Sequence, residues 1–176
     1  MMKRALAVGL PLALVLGGCQ TVDEAPSDRI GQATLRLANG LPAGTAQLIA
    51  SGSQVNISVA LTGLSAGVHG AHLHTVGACD APEFTSAGPH LNPGQRQHGH
   101  ENPAGAHLGD LPNATIGANG SGTLNATLEG TRDQVLAQLF DADGTAIVVH
   151  ATADDYRTDP SGNSGGRIAC GVLTRS

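Results

Sequence analysis

Six of the eight histidines in this 176-residue chain fall between residues 72 and 107, as His72, His74, His90, His98, His100 and His107. That spacing reads as a metal site. Asp110 follows His107 by three residues, and His150 ends a later apolar run, Ala146-Ile147-Val148-Val149-His150. On a β-strand side chains alternate faces, so His72 and His74 project from the same side as a preorganised pair. Between them and Asp110 the chain is rich in Gly, Pro and Asn, notably Ser86-Ala87-Gly88-Pro89-His90-Leu91-Asn92-Pro93-Gly94, which is loop chemistry that a metal can order. Imidazole suits copper and zinc, and a carboxylate among histidines moves the preference toward zinc. The donors are sufficient for two coordination spheres around two unlike metals.

The rest of the chain reads as β structure. Ala33-Thr34-Leu35-Arg36-Leu37, Val55-Asn56-Ile57-Ser58-Val59-Ala60-Leu61 and Gly122-Thr123-Leu124-Asn125-Ala126-Thr127-Leu128 alternate apolar with polar residues between Gly, Asn and Ser turns. Such a pattern predicts an antiparallel sandwich or barrel. Residues 134–140 fit either a short helix or one arm of a hairpin. The following Asp141-Ala142-Asp143-Gly144 turn and Ile147-Val148-Val149 favour the hairpin. Aromatics are scarce, with only Phe84, Phe140 and Tyr156 and no Trp. Packing is therefore aliphatic.

Five blocks of the sequence resemble the copper/zinc superoxide dismutase family, in the family's order and spacing. They are Gly70-Ala71-His72-Leu73-His74, Ser86 to Pro93, His107-Leu108-Gly109-Asp110-Leu111, Val148-Val149-His150 and Gly162 to Val172. The resemblance covers residues 32–176. It implies an all-β fold: a flattened Greek-key β-barrel, or immunoglobulin-like sandwich, of eight antiparallel strands with long metal-binding and guidance loops. It also implies that His72, His74, His90 and His150 bind copper, that His90, His98, His107 and Asp110 bind zinc, and that His90 bridges the two metals. Asp154 matches a carboxylate that steadies His72 and His98 from behind. Arg167 matches the arginine that orients superoxide, and His90 is expected to relay a proton to the forming peroxide. The implied activity turns two superoxide anions and two protons into dioxygen and hydrogen peroxide. His69, three residues before His72, is expected on the opposite face in a structural role. His100 matches no ligand and reads as a solvated side chain, and Asp155 and Asp159 as solvated loop charges.

The N-terminus adds a location. Met1-Met2-Lys3-Arg4 followed by Ala5 to Leu16 has the basic and short apolar regions of an export signal rather than of a membrane span. Leu16-Gly17-Gly18-Cys19 resembles a bacterial lipobox, so residues 1–18 are expected to be removed, Cys19 lipidated, and residues 19–31 to serve as a tether. The protein is then exported to the periplasm and anchored to the outer membrane through Cys19 alone. With Cys19 lipidated, Cys79 and Cys170 remain as a pair in an oxidising compartment and are expected to be bridged.

Charge and length narrow the alternatives. The formal net charge is −5 and the only lysine is Lys3. An acidic balance without a basic, aromatic stripe argues against nucleic-acid binding. An anionic substrate has to be drawn in by bound metals and Arg167, with Arg157 as a further candidate. The remaining ~155 residues make one domain, too short for the barrels that carry common zinc hydrolases with paired histidines. The rival reading is a non-catalytic copper/zinc-binding envelope lipoprotein on the same fold, for which Arg167 has no use. Scarce aromatics favour a monomer, with an aliphatic homodimer left open.

Overall fold

Alternation of apolar and polar residues becomes alternation of burial along three consecutive strands. These are β1 (Ser27–Leu37), β2 (Pro42–Ser51) and β3 (Gln54–Leu61). They bury Ala33 and Leu35, then Ala46 and Leu48, then Val55, Ile57 and Val59, while the residues between face outward. The structure, a computed structural model, describes residues 27–176. The export signal, Cys19 and the start of the tether lie outside the described residues. Residues 27–31, the end of the expected tether, belong to β1 and pair with β2, with Ser27 opposite Ser51.

The chain continues through β4 (Gly67–His69), β5 (Ala71–His74), β6 (Ala114–Ile116), β7 (Gly122–Leu128), helix α1 (Arg132–Leu139), β8 (Ala146–His150), β9 (Arg167–Val172) and β10 (Thr174–Arg175). The main antiparallel sheet runs β5-β8-β9-β1-β2-β3-β7, with β10 also on β1, and β4 pairs with β6. Gly70 alone separates β4 from β5, and Leu173 alone separates β9 from β10. The ten segments therefore amount to the eight strands expected of the Greek-key barrel. Inside lies an aliphatic core that includes Leu35, Leu48, Ile57, Val59, Leu73, Leu111, Ile147 and Val149.

Strand β8 explains how the barrel carries a site. All five of its residues are buried. Ile147 and Val149 face the core, whereas Ala146 and Val148 pack with Phe84, Ala87, Cys79 and Cys170 on the outer side. A loop that includes residues 79–90 is thus laid over the sheet, and the Cys79–Cys170 disulfide staples it to β9. The expected bridge is present.

Residues 132–139 are helical, which corrects the hairpin expectation for 134–140. The reason is a capping box that the hydropathy pattern does not register: the Thr131 N–H donates to Gln134 Oε1 at 3.0 Å, and the Thr131 side chain accepts from the Gln134 N–H. Val135 and Leu139, four residues apart, reach the core from one face. The turn over Asp141 then closes on that carboxylate through the Asp143 and Gly144 N–H groups. Among the described residues no helix is long and apolar enough to cross a membrane.

Candidate metal centre

The ladder between β5 and β8 places three of the histidines. His72 pairs with Val148 and His74 with Ala146, which fixes both rings on rigid backbone, and His150 ends β8 opposite Arg167 of β9. The loops then tie onto β5. Leu73 N donates to Gly109 O at 2.8 Å, Leu91 N to Leu73 O at 2.8 Å and Gly109 N to Leu91 O at 2.9 Å. These bonds bring His90 and Asp110 alongside the strand. Gly109 is required by the closeness of this approach, since a β-carbon there would collide with Leu73 O and stand 3.0 Å from Leu91 N.

His72, His74, His90 and His150 offer donor nitrogens within 4.8 Å of one another. In three of these rings one nitrogen is committed outward. His72 Nε2 meets Asp154 Oδ2 at 2.7 Å, His74 Nδ1 meets Gly88 O at 2.8 Å and His150 Nδ1 meets Gly165 O at 3.1 Å. The inward atoms, His72 Nδ1, His74 Nε2, His90 Nε2 and His150 Nε2, are buried and have no hydrogen-bond partner. Four orphaned nitrogens aimed at one point are costly unless something binds there. Burial pushes the His74 pKa down to about 2, that of His150 to about 3 and that of His90 to about 4, and lowers that of His72. The imidazoles are therefore neutral, with lone pairs free to ligate.

A second set forms around Asp110. Its Oδ2 accepts the Gly99 N–H at 2.9 Å and the His107 N–H at 3.0 Å, which locks the carboxylate. Its Oδ1 stands 3.0 Å from His98 Nδ1, 3.1 Å from His107 Nδ1 and 3.2 Å from His90 Nδ1. Four donors at ~2.0 Å from a tetrahedral zinc lie roughly 3.3 Å apart, which the three contacts at Asp110 Oδ1 match, although the donors lying within 4.8 Å of one another are those of His72, His90, His98 and Asp110, with His107 outside that group. His98 Nδ1 makes no hydrogen bond of its own and is buried. Burial opposes charge on His98, but the Asp110 carboxylate 3.0 Å from Nδ1 and the Asp154 carboxylate bonded to Nε2 prevail and raise its pKa to about 9; both carboxyls are held well below the usual range despite burial. His72 also comes within reach of this set, but through its stacking on His90 at 3.9 Å, with one nitrogen already taken by Asp154.

His90 differs from the other rings. It has no outward partner: Nδ1 faces the Asp110 set and Nε2 faces the four-imidazole set. The matching family pattern, described as copper/zinc superoxide dismutase, spans residues 42–173.

The chain belongs to the copper/zinc superoxide dismutase family.

Among its relatives, a superoxide dismutase [Cu-Zn] from Caulobacter vibrioides is 38% identical over 80% of this chain and 83% of its own. One from Deinococcus radiodurans is 37% identical over 98% of both chains. The superoxide dismutase-like protein YojM of Bacillus subtilis is 45% identical over 59% of this chain, which spans 54% of that protein's length. The crystal structure of a SOD-like protein from Bacillus subtilis superposes with a TM-score of 0.72 at 34% identity, covering 81% of this chain and 97% of that one.

The remaining expected residues take distinct places. Asp154 reaches His98 Nε2 at 3.0 Å with Oδ1 while Oδ2 holds His72, so one carboxylate connects the two sets. Arg167 donates through Nη1 to Phe84 O at 2.7 Å and through Nη2 to Gly88 O at 2.6 Å, the carbonyl that also holds His74. His69 is structural as expected, buried with its ring nitrogens at His150 O and Ser65 O. His100 is exposed, joins neither set and rests its Nε2 on Asp110 O at 2.9 Å. Two exposed loop charges have partners that the sequence does not show. Asp159 is a loop charge with a task, because Oδ1 accepts the His98 N–H at 2.7 Å. Arg157, the further candidate for attracting an anion, is engaged with Glu101, its Nε 2.7 Å from Oε2. The hydropathy and motif reading passed over Asn113 and Tyr156, both bonded to residue 154. The signal for Asn113 was its closeness to Asp110; for Tyr156 there was none beyond its being the one tyrosine.

Proposed function

We propose that His72, His74, His90 and His150 hold copper, that His90, His98, His107 and Asp110 hold zinc, and that the protein removes superoxide in the bacterial envelope. The observation that carries this reading is the lack of an outward partner on His90, which leaves one nitrogen for each set. The chain is an oxidoreductase of the superoxide dismutase class. Copper held by His72, His74, His90 and His150 would supply a one-electron couple for oxidising one superoxide and reducing the next, and zinc held by His90, His98, His107 and Asp110 would supply charge and order without redox chemistry.

The protein's own groups do the rest. Arg167 keeps two of its five N–H donors on loop carbonyls, which fixes the plane of the guanidinium beside His150 and leaves donors for a small anion. His90 Nε2 would carry a proton to the forming peroxide, while Asp110 steadies the ring from the Nδ1 side. Asp154 holds His72 Nε2 and His98 Nε2 in the protonated state, so the ligating nitrogens are His72 Nδ1 and His98 Nδ1. Export and lipidation at Cys19 place the activity in the periplasm on this reading.

The test is stopped-flow decay of superoxide by the purified protein, with copper and zinc content determined on the same sample. A rate proportional to bound copper is expected. Full occupancy without catalysis would convert the protein into the non-catalytic metal-binding lipoprotein.

A further inference from the structure

Tyr156 has backbone φ of 61°, in the left-handed region where a residue with a β-carbon is strained and Gly or Asn is usual. A tyrosine in such a place is justified only by what its atoms reach, and it reaches three loops. Its N–H donates to Asp154 Oδ1 at 2.7 Å, and its carbonyl accepts the Glu101 N–H at 3.0 Å. Its phenol oxygen accepts the Asn113 N–H at 2.7 Å. Asn113 in turn holds residue 154 from both sides, its Oδ1 accepting the Asp154 N–H and its Nδ2 donating to Asp154 O, each at 2.9 Å. The segment after Asp110, the loop bearing His98 and the loop bearing Asp154 thus meet at one residue, the first through its phenol and the other two through its backbone.

We propose that Tyr156 is a positioning residue that, through Asn113 and its own N–H, holds the Asp154 carboxylate in place and thereby sets zinc affinity more than copper affinity. The proposal rests on the two-metal reading above. The asymmetry follows from the backbone carrying each ring. His72 sits within the β5–β8 ladder and keeps its place whether or not Asp154 is well held. His98 lies on irregular chain, and its ring is held from behind only by Asp154 Oδ1, the same oxygen that takes the Tyr156 N–H. A carboxylate that shifts by a few tenths of an ångström therefore re-aims His98 and leaves His72 where the sheet puts it. Gly99, next to His98, shows how closely the loops meet: a β-carbon there would run into the Tyr156 carbonyl and stand 2.7 Å from Arg157 N.

Tyr156→Phe keeps the ring and the backbone donor and deletes the phenol acceptor. In the full-length protein, zinc affinity is measured by competition with a chromophoric chelator and copper affinity in parallel. Cobalt(II) absorption reports the symmetry of the zinc ligands. Removing a residue behind a ligand weakens metal binding by roughly 10- to 100-fold, and Tyr156→Phe should fall near the lower end for zinc while copper changes by less than about twofold. Asp154→Asn should weaken zinc further. In that background Tyr156→Phe should add almost nothing, because residues acting through one group are not additive. Asn113→Ala should repeat the pattern and serves if the phenylalanine variant folds poorly. Unchanged zinc affinity, equal losses for both metals, or a full additional loss on top of Asp154→Asn would each overturn the proposal. A wild type that bound neither ion would overturn the two-metal reading with it, whereas a wild type that bound both, with an indifferent Tyr156→Phe, would remove this inference alone.

Discussion

Replacing Arg167 with Gln separates orientation of the substrate from construction of the site. The guanidinium is half-buried and anchored on Phe84 O and Gly88 O at 2.7 and 2.6 Å, so its free donors are pointed rather than floppy. One hydrogen bond to a charged partner contributes about 1.5–3 kcal/mol. At 1.36 kcal/mol per factor of ten, losing it from the transition state should lower kcat/KM roughly 10- to 150-fold. Copper content should hold, because no ligand nitrogen bonds to Arg167. The nearest link is Gly88 O, which keeps its contact with His74 Nδ1 in the variant. Arg167→Lys preserves the charge but cannot span both carbonyls and an anion with one compact ammonium, so it should fall between wild type and Gln. The assay is superoxide decay at matched copper occupancy, with kcat/KM compared across the three proteins. Values for Arg167→Gln within twofold of wild type would refute the argument, and so would a loss of rate matched by an equal loss of copper, which would make Arg167 a structural residue.

Other perturbations test the frame around the site. Reducing the Cys79–Cys170 bridge, which closes a loop of separation 91, should destabilise folding by roughly 4–5 kcal/mol on chain entropy, read as a lower denaturation midpoint, with copper lost before zinc because the freed loop carries Gly88. Gly162→Ala should abolish zinc binding in a chelator competition, since its φ is 63° and the added β-carbon would collide with the Asp154 carboxylate and stand 2.7 Å from His98 Nε2. Stability of the metal-free protein should peak near neutral pH. His74, His90 and His150 have folded pKa values of about 2, 4 and 3, below the ordinary ~6.5. Across that interval the unfolded chain binds more protons, and stability rises with pH. His98, at about 9, binds more protons when folded, so its contribution is complete below the ordinary value and is lost as pH rises to about 9. Denaturant melts from pH 4 to 9.5 on metal-free protein check both slopes; a flat profile would remove the charge argument.

The helix at residues 132–139 shows where hydropathy reading ran out. Its apolar positions are few and its start is written in one Thr131–Gln134 exchange, so alternation before and after it outvoted the cap. Arg157 and Asp159 show the same limit from another side. As loop charges they carry no periodicity, and their partners, Glu101 and the His98 N–H, lie 56 and 61 residues away.

The sequence by itself determined the β class, the candidate donors and the placing of His72 and His74 on one strand, because alternation, side-chain chemistry and strand periodicity are local properties of a chain. It also determined the family, through five blocks in fixed order. Tertiary structure decided which nitrogen of each imidazole faces inward. That choice belongs to Gly88 O, Gly165 O and the Asp154 carboxylate, the last 82 residues from His72. It decided as well that the phenol of Tyr156 would reach Asn113, 43 residues distant. The bonds that tune a metal site are made by backbone carbonyls and by loops that meet only when the barrel closes, and neither leaves a mark on the local sequence.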